Sequence, residues 1–218
     1  MPTAVKENYL KALYFLNQEN PDINITELSK KVGVSKPTAS NMVKSLMENG
    51  WVDYQKYKPV KLTEKGRKAA ALIIRKHRLT EIFLHKVMGF GWEEVHKIAE
   101  QMEHLDSQKL FDRMDEMLEH PLRDPHGSPI PDKNGQVAKQ EFHNLTHMTN
   151  SQKGRLSALT NSSEGLLHYL NKCQIELGVV LTLIRIEPFD NSCIVSTDGQ
   201  PPITLSEKVA ACLLVDII

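Results

Sequence analysis

The chain has 218 residues, long enough for two or three small domains with buried cores, and its 27 Lys and Arg are balanced by 27 Asp and Glu. The balance is uneven: residues 1–78 carry 15 basic against 7 acidic side chains and residues 79–218 carry 12 against 20, so a polyanion partner fits one end only. Cys173, Cys193 and Cys212 lie far apart without C-x-x-C spacing, which excludes a disulfide framework or zinc ribbon, and no run reaches the roughly eighteen apolar residues of a membrane span.

In chain order, Val5, Tyr9, Leu10, Leu13 and Leu16 recur at helical spacing, and Asn20-Pro21-Asp22 ends that first helix. Thr26 can cap a second helix carrying Leu28 and Val32, Gly33 supplies a turn, and Ser35 caps a third helix with Pro37 in its first turn. This is the order of a helix-turn-helix. Ala39, Met42, Val43, Leu46 and Met47 form the inward stripe of the third helix. Lys36, Thr38, Ser40, Asn41, Lys44 and Ser45 are left outward, a face of amide, hydroxyl and ammonium groups suited to a major groove. Asn49-Gly50 closes the helix; Trp51–Tyr54 and Val60–Leu62 read as the strands of a wing with Lys56-Tyr57-Lys58-Pro59 at its tip. Thr26, Ser35, Lys36, Pro37, Thr38, Ser40, Asn41, Lys44, Lys56, Tyr57 and Lys58 are therefore the candidate DNA contacts.

Thr63 caps a long helix expected over Glu64 to Met88, where Gly89-Phe90-Gly91 turns the chain. Its apolar set, Leu72, Ile73, Leu79, Ile82, Phe83 and Val87, exceeds what a three-helix head covers, which points to a second subunit. The next helix is expected over Trp92 to Leu105, and Asp106 or Ser107 caps another with Leu110, Phe111, Met114 and Leu118 inward. His96, Glu100, Glu103 and His104 sit at i, i+4, i+7 and i+8, on one side of a helix, and the short connection lets His77 and Glu81 face them. Imidazoles and carboxylates converging from different helices make a divalent metal site. Taken singly, such residues are ordinarily solvated or in weak surface pairs.

Pro121 to Met148 is rich in Pro, Gly, His and Asn and reads as a linker. Gly154–Leu159, Val179–Ile186, Cys193–Ser196 and Pro202–Leu205 then read as short strands, with a small helix at Glu164 to Lys172.

The run Arg75-Lys76-His77-Arg78-Leu79-Thr80-Glu81, then Val95-His96, Glu100, Glu103-His104 and Asp124-Pro125-His126-Gly127-Ser128-Pro129-Ile130-Pro131, closely resembles the iron and manganese dependent repressors related to the diphtheria toxin repressor and the manganese transport regulator. Leu167 to Gly178 and Ser206 to Ala210 resemble the ferrous-transport-accessory type of SH3-like barrel that ends these repressors. The resemblance implies an α+β chain: a winged helix-turn-helix over 1–66, a helical dimerisation and metal-binding domain over 67–131, a linker over 132–148 and a small SH3-like β-barrel over 149–218.

It also implies two metal sites per subunit. Glu100, Glu103 and His104 match the primary, activating site; Asn8 stands where the family uses Asp or Met, and Lys11 where some manganese members place a second Glu. For the second site, His77, Glu81 and His96 match the iron branch, whereas Glu81, Asp124 and His126 match a streptococcal manganese branch. Asn161 and Glu164 fall where the iron-branch barrel lends ligands. Glu100 replaces the Cys of iron-sensing relatives, and hard oxygen in place of soft sulfur favours Mn2+, with Fe2+ a close alternative.

The implied protein is a cytoplasmic, homodimeric repressor of metal-uptake genes that binds palindromic double-stranded operator DNA when metal joins Asn8 to Glu100, Glu103 and His104. It has no membrane partner, no small-molecule substrate and no enzymatic activity. Two rivals are a winged-helix regulator whose metal is purely structural, and a di-metal helical oxidase, for which Glu93-x-x-His96 has the required i, i+3 spacing.

Overall fold

The computed structural model describes residues 3–138 and 141–218. Met1, Pro2 and residues 139 and 140 of the expected linker lie outside the described residues. The chain divides into two compact units: Met1–Thr80, Ala99–His120 and Ile130–Ala138 form the first, and Glu81–Ile98, Pro121–Pro129 and Lys139–Ile218 the second. The segment expected to be one helical domain is thus shared between them. Among the described residues no helix is long and apolar enough to cross a membrane.

In the first unit, α1 (Ala4–Glu19), α2 (Ile25–Val32) and α3 (Lys36–Glu48) precede a hairpin of β1 (Val52–Asp53) and β2 (Lys61–Leu62). The hairpin is antiparallel, with Val52 opposite Leu62 and Asp53 opposite Lys61. Tyr9, Leu10, Leu13, Leu28, Ala39, Val43, Leu46, Val52, Val60 and Leu62 share one core. Asn24, not Thr26, caps α2: its side chain accepts from Glu27 N at 2.9 Å while Glu27 Oε2 accepts from Asn24 N at 3.1 Å, a reciprocal box worth more than a lone hydroxyl. Gly33 closes α2 at φ +76°, and Ser35 caps α3 by accepting from Thr38 N, as expected. Met47, expected inward, is 41% exposed, because Val43 and Leu46 already fill the stripe facing the core.

The long helix α4 (Glu64–Lys86) starts at Thr63, whose Oγ1 accepts from Gly66 N at 3.0 Å and donates to Gly50 O at 2.8 Å. Gly66 is required there: a Cβ would lie 1.9 Å from the Trp51 carbonyl oxygen. Of the apolar set expected to seek a partner, Ile73, Leu79 and Ile82 are buried within the chain, while Val87 remains about half exposed, as does the neighbouring Met88. α5 is shorter than expected, Val95–Met102. Trp92, Glu93 and Glu94 form a turn before it, and Glu103 and His104 a turn after it. α6 (Gln108–Met117) buries Phe111, Met114 and Asp115. Asp115 is held by Arg75 at 2.8 Å, and Arg75 also donates to Pro131 O.

The second unit is built on a six-stranded antiparallel sheet of β3 (His143–Asn144), β4 (Lys153–Leu159), β5 (Val180–Ile186), β6 (Cys193–Thr197), β7 (Ile203–Leu205) and β8 (Leu213–Ile217). The strands lie in the order β3-β8-β4-β5-β6-β7. α7 (Glu164–Lys172) falls where the sequence placed it, and a short α8 (Glu207–Ala210) precedes β8. β3 pairs with β8, so His143 and Asn144 belong to the sheet and not to a free linker. Leu145 and Met148 just after them are buried in its core with Leu156, Leu167, Leu181, Val195 and Val215. Trp92 joins this core and donates from Nε1 to Asn171 Oδ1 at 2.7 Å.

Candidate metal centres

The first unit gathers charge around Glu103, which is fully buried. Its backbone N–H still bonds to Ala99 O at 2.9 Å, so the turn after α5 continues the helical direction just far enough to aim Glu103 inward. A buried carboxylate is costly unless paired, and here α1 and α4 supply the partners. Lys11 Nζ lies 2.8 Å from both Glu103 oxygens and 2.7 Å from Glu100 Oε2. His77 Nδ1 is 2.5 Å from Glu103 Oε2 and 3.8 Å from Glu100 Oε2. His77, Glu100 and Glu103 each offer a ligand atom within 4.8 Å of the others.

His104 is fixed from behind. Its Nδ1 is 2.6 Å from Glu7 Oε2, which makes Nδ1 the protonated nitrogen and leaves the Nε2 lone pair 3.7 Å from Glu103 Oε1. A carboxylate holding the far nitrogen of an imidazole is the support that metal-ligating histidines ordinarily have. Asn8, one residue along α1, has a buried Oδ1 with no hydrogen-bond partner and lines a cavity of about 230 Å³ together with Lys11 and Glu100. An orphaned amide oxygen, two carboxylates and an imidazole nitrogen fit a hard divalent cation.

The second unit holds another cluster. Glu81, Asp124 and His126 are all buried, with ligand atoms within 4.8 Å of one another. His126 Nε2–H donates to Trp92 O at 2.8 Å, so Nδ1 keeps its lone pair, 4.0 Å from Glu81 Oε2. Asp124 Oδ1 accepts from His126 N and Ser128 N, and Gly127 (φ +84°) lets the 124–128 turn reach β4, where a Cβ would meet Ser157 O at 2.3 Å. Two carboxylates and one imidazole, all buried, are a donor set suited to a divalent cation. His96, half exposed, lies 3.2 Å from Glu81 Oε1.

The expected single face of His96, Glu100, Glu103 and His104 is therefore divided: His96 goes with Glu81, Glu100 and Glu103 with Lys11 and His77, and His104 with Glu7. His96 and Glu100 lie one turn apart in α5 and meet different neighbours, while Glu103 and His104 follow in the turn after it. Glu93 precedes α5, so Glu93 and His96 do not form the helical pair that a di-metal oxidase needs. Glu164 pairs with Lys97 at 2.7 Å, and that ammonium holds its carboxyl below the ordinary value. Asn161 Oδ1 accepts from Ser163 N. Both line a cavity of about 300 Å³ with His96. Sequence reasoning missed Glu7; the available signal was an acidic residue at i−3 and i−6 to Leu10 and Leu13, on the buried stripe of α1.

On α3, Lys36, Pro37, Thr38, Asn41 and Lys44 are exposed and Ser40 is half-buried, as is Thr26 on α2. At the wing tip Tyr57 is 90% exposed at φ +69°, with Lys56 Nζ 4.9 Å from its ring centre and Lys58 N bonded to Gln55 O.

Residues 1–60 match the family described as iron dependent repressor, N-terminal DNA binding domain. Residues 63–132 match iron dependent repressor, metal binding and dimerisation domain, and residues 143–217 the FeoA domain. The iron-dependent repressor IdeR of Mycobacterium bovis is 36% identical over 125 residues, which are 57% of this chain and 54% of that protein. The chain thus aligns with about half the length of this curated repressor. A solved manganese-dependent transcriptional repressor in complex with manganese superposes with a TM-score of 0.88 at 32% identity, covering 97% of this chain and 99% of that one. ScaR with bound Cd2+ gives 0.81 at 30%, covering 98% and 99%.

Proposed function

This chain belongs to the iron dependent repressor family, and on that footing we propose that it is a metal-activated repressor of metal-uptake genes, working as a homodimer on double-stranded operator DNA in the cytoplasm. The observation that carries the reading is His104, backed by Glu7 and presenting Nε2 toward the buried Glu103, with the orphaned Asn8 oxygen one residue along α1 from Glu7. Asn8, Glu100, Glu103 and His104 would hold the activating ion, and Glu81, Asp124 and His126 a second. Mn2+ is the favoured ion and Fe2+ the next, since the donors are oxygen and imidazole without sulfur.

A bound divalent cation supplies the positive charge that the amide, the imidazole and two carboxylates can share. The remaining work belongs to the chain. Asn8 sits on α1, whose Tyr9, Leu10 and Leu13 are buried in the core that also carries α3. Holding α1 to the segment 100–104 therefore fixes the recognition helix through side-chain packing, not through a loop. Lys36, Thr38, Asn41 and Lys44 then meet bases and phosphates, and the wing lysines flank them. Two heads held in one pose match a palindrome.

The test is operator binding by the full chain titrated with Mn2+, Fe2+ and Zn2+ at fixed salt, using a duplex selected from a random pool in the presence of Mn2+. Tight binding that a chelator abolishes and Mn2+ restores supports the proposal; binding indifferent to the chelator overturns it and favours a structural metal.

A further inference from the structure

We infer that Lys11 is an internal cation competing for the primary metal position, so that a divalent ion fills the site only by displacing the Lys11 ammonium from Glu100 and Glu103. The inference rests on the primary site proposed above. Its ammonium is within 2.8 Å of three carboxylate oxygens, the same oxygens that would ligate the ion. The Lys11 side chain is 14% exposed and Glu103 is fully buried, so solvent screens the pair little. Two cations on one set of oxygens repel each other, and only one can be accommodated at full strength.

The pairing also answers what holds Glu103 in the absence of metal. A buried carboxylate with no cation would be expelled or protonated. Lys11 pairs with it and holds it in place, and Glu7 on the same helix holds His104. α1 is therefore already tied to the segment 100–104 by Lys11 and by the Glu7–His104 hydrogen bond, and metal exchanges one tie for another. The cavity beside Asn8, which Lys11 itself lines, gives the freed side chain room to swing aside.

Such a site is open to metal only for the fraction of time that Lys11 is away, and its apparent affinity falls by that fraction. Lys11 thus sets the metal concentration at which the repressor responds, and it adds to the weakening that the uncharged Asn8 already brings.

The experiment measures Mn2+ binding to the full chain by the paramagnetic resonance of the free aquo ion, together with the thermal midpoint with and without Mn2+. Lys11→Met should bind Mn2+ at least about tenfold tighter. It should also melt lower without metal and show a larger Mn2+-induced rise than the parent. Lys11→Arg, which keeps the charge, should bind no tighter than the parent, and Lys11→Gln serves if the Met variant does not fold without metal. Glu103→Gln identifies the site, because it should remove one class of bound ion. If that class survives in Glu103→Gln, the site assignment itself fails. If Glu103→Gln removes it but Lys11→Met and Lys11→Gln bind with unchanged or weaker affinity, Lys11 is a structural cation only and the inference is overturned.

Discussion

His104 Nδ1 lies 2.6 Å from Glu7 Oε2, joining the turn after α5 to the first helix across 97 positions of sequence. The contact decides which imidazole nitrogen is available and where it points. Glu7→Gln keeps the size but removes the acceptor charge that favours the Nδ1–H tautomer. The expected outcome is Mn2+ affinity lower by about 10- to 100-fold with the fold retained. Titration of Mn2+ against the variant checks it, and parental affinity would remove Glu7 from the account.

Asn8→Asp adds the charge that the amide lacks, at an oxygen with no hydrogen-bond partner. Cation affinity rises with the charge count of the ligands, so the variant should bind Mn2+ about tenfold tighter, roughly 1.4 kcal/mol. Calorimetry distinguishes this from no change, the result expected if position 8 does not ligate.

His126→Ala and Glu81→Gln both dismantle the second cluster, but with different effects on stability. Each should lose one bound ion by equilibrium dialysis while the ion at Glu103 remains. His126→Ala also forfeits the bond to Trp92 O and leaves a cavity, so about 2–4 kcal/mol of stability should go with it. Glu81→Gln keeps the size of the side chain, leaves no cavity and should cost less. Retention of both ions in both variants would mean the cluster is not a metal site.

Gly66→Ala places a methyl 1.9 Å from the Trp51 carbonyl oxygen, where the head meets α4. Backbone must move, at about 1–3 kcal/mol. Urea denaturation should show the loss, and operator affinity should fall with it, since Trp51 begins the wing.

Lys44→Ala should weaken binding to specific and random duplexes alike and reduce the slope of log affinity against log salt by about one. Asn41→Ala should instead lower discrimination between operator and random DNA by about 1–3 kcal/mol, leaving the slope unchanged. A uniform effect from Asn41→Ala would assign it to the backbone.

Much of this was legible in the sequence because its causes are local. The Ser35 cap with Pro37, the positive φ at Gly33 and the apolar stripe of α3 depend on neighbours a few residues away, and α7 was bounded correctly for the same reason. Spacing and family likeness mark Glu100, Glu103 and His104 as candidate ligands. What was not legible depends on pairing at long range. Lys11 is 92 positions from Glu103 and Glu7 97 from His104, and nothing local marks either contact. α5 ends at Met102 without a Pro or Gly to announce it. β3 was hidden because two residues, His143 and Asn144, are too few to alternate visibly, and only pairing with β8 makes them a strand.

The central claim is that filling the site at Asn8, Glu100, Glu103 and His104 and reading DNA with α3 are one coupled equilibrium. The most direct test is the Mn2+ binding isotherm of the full chain with and without saturating operator duplex at constant salt. Coupling requires DNA to tighten Mn2+ binding, by about 5- to 150-fold, and Glu103→Gln to abolish the difference. Superimposable isotherms with and without DNA would contradict the account.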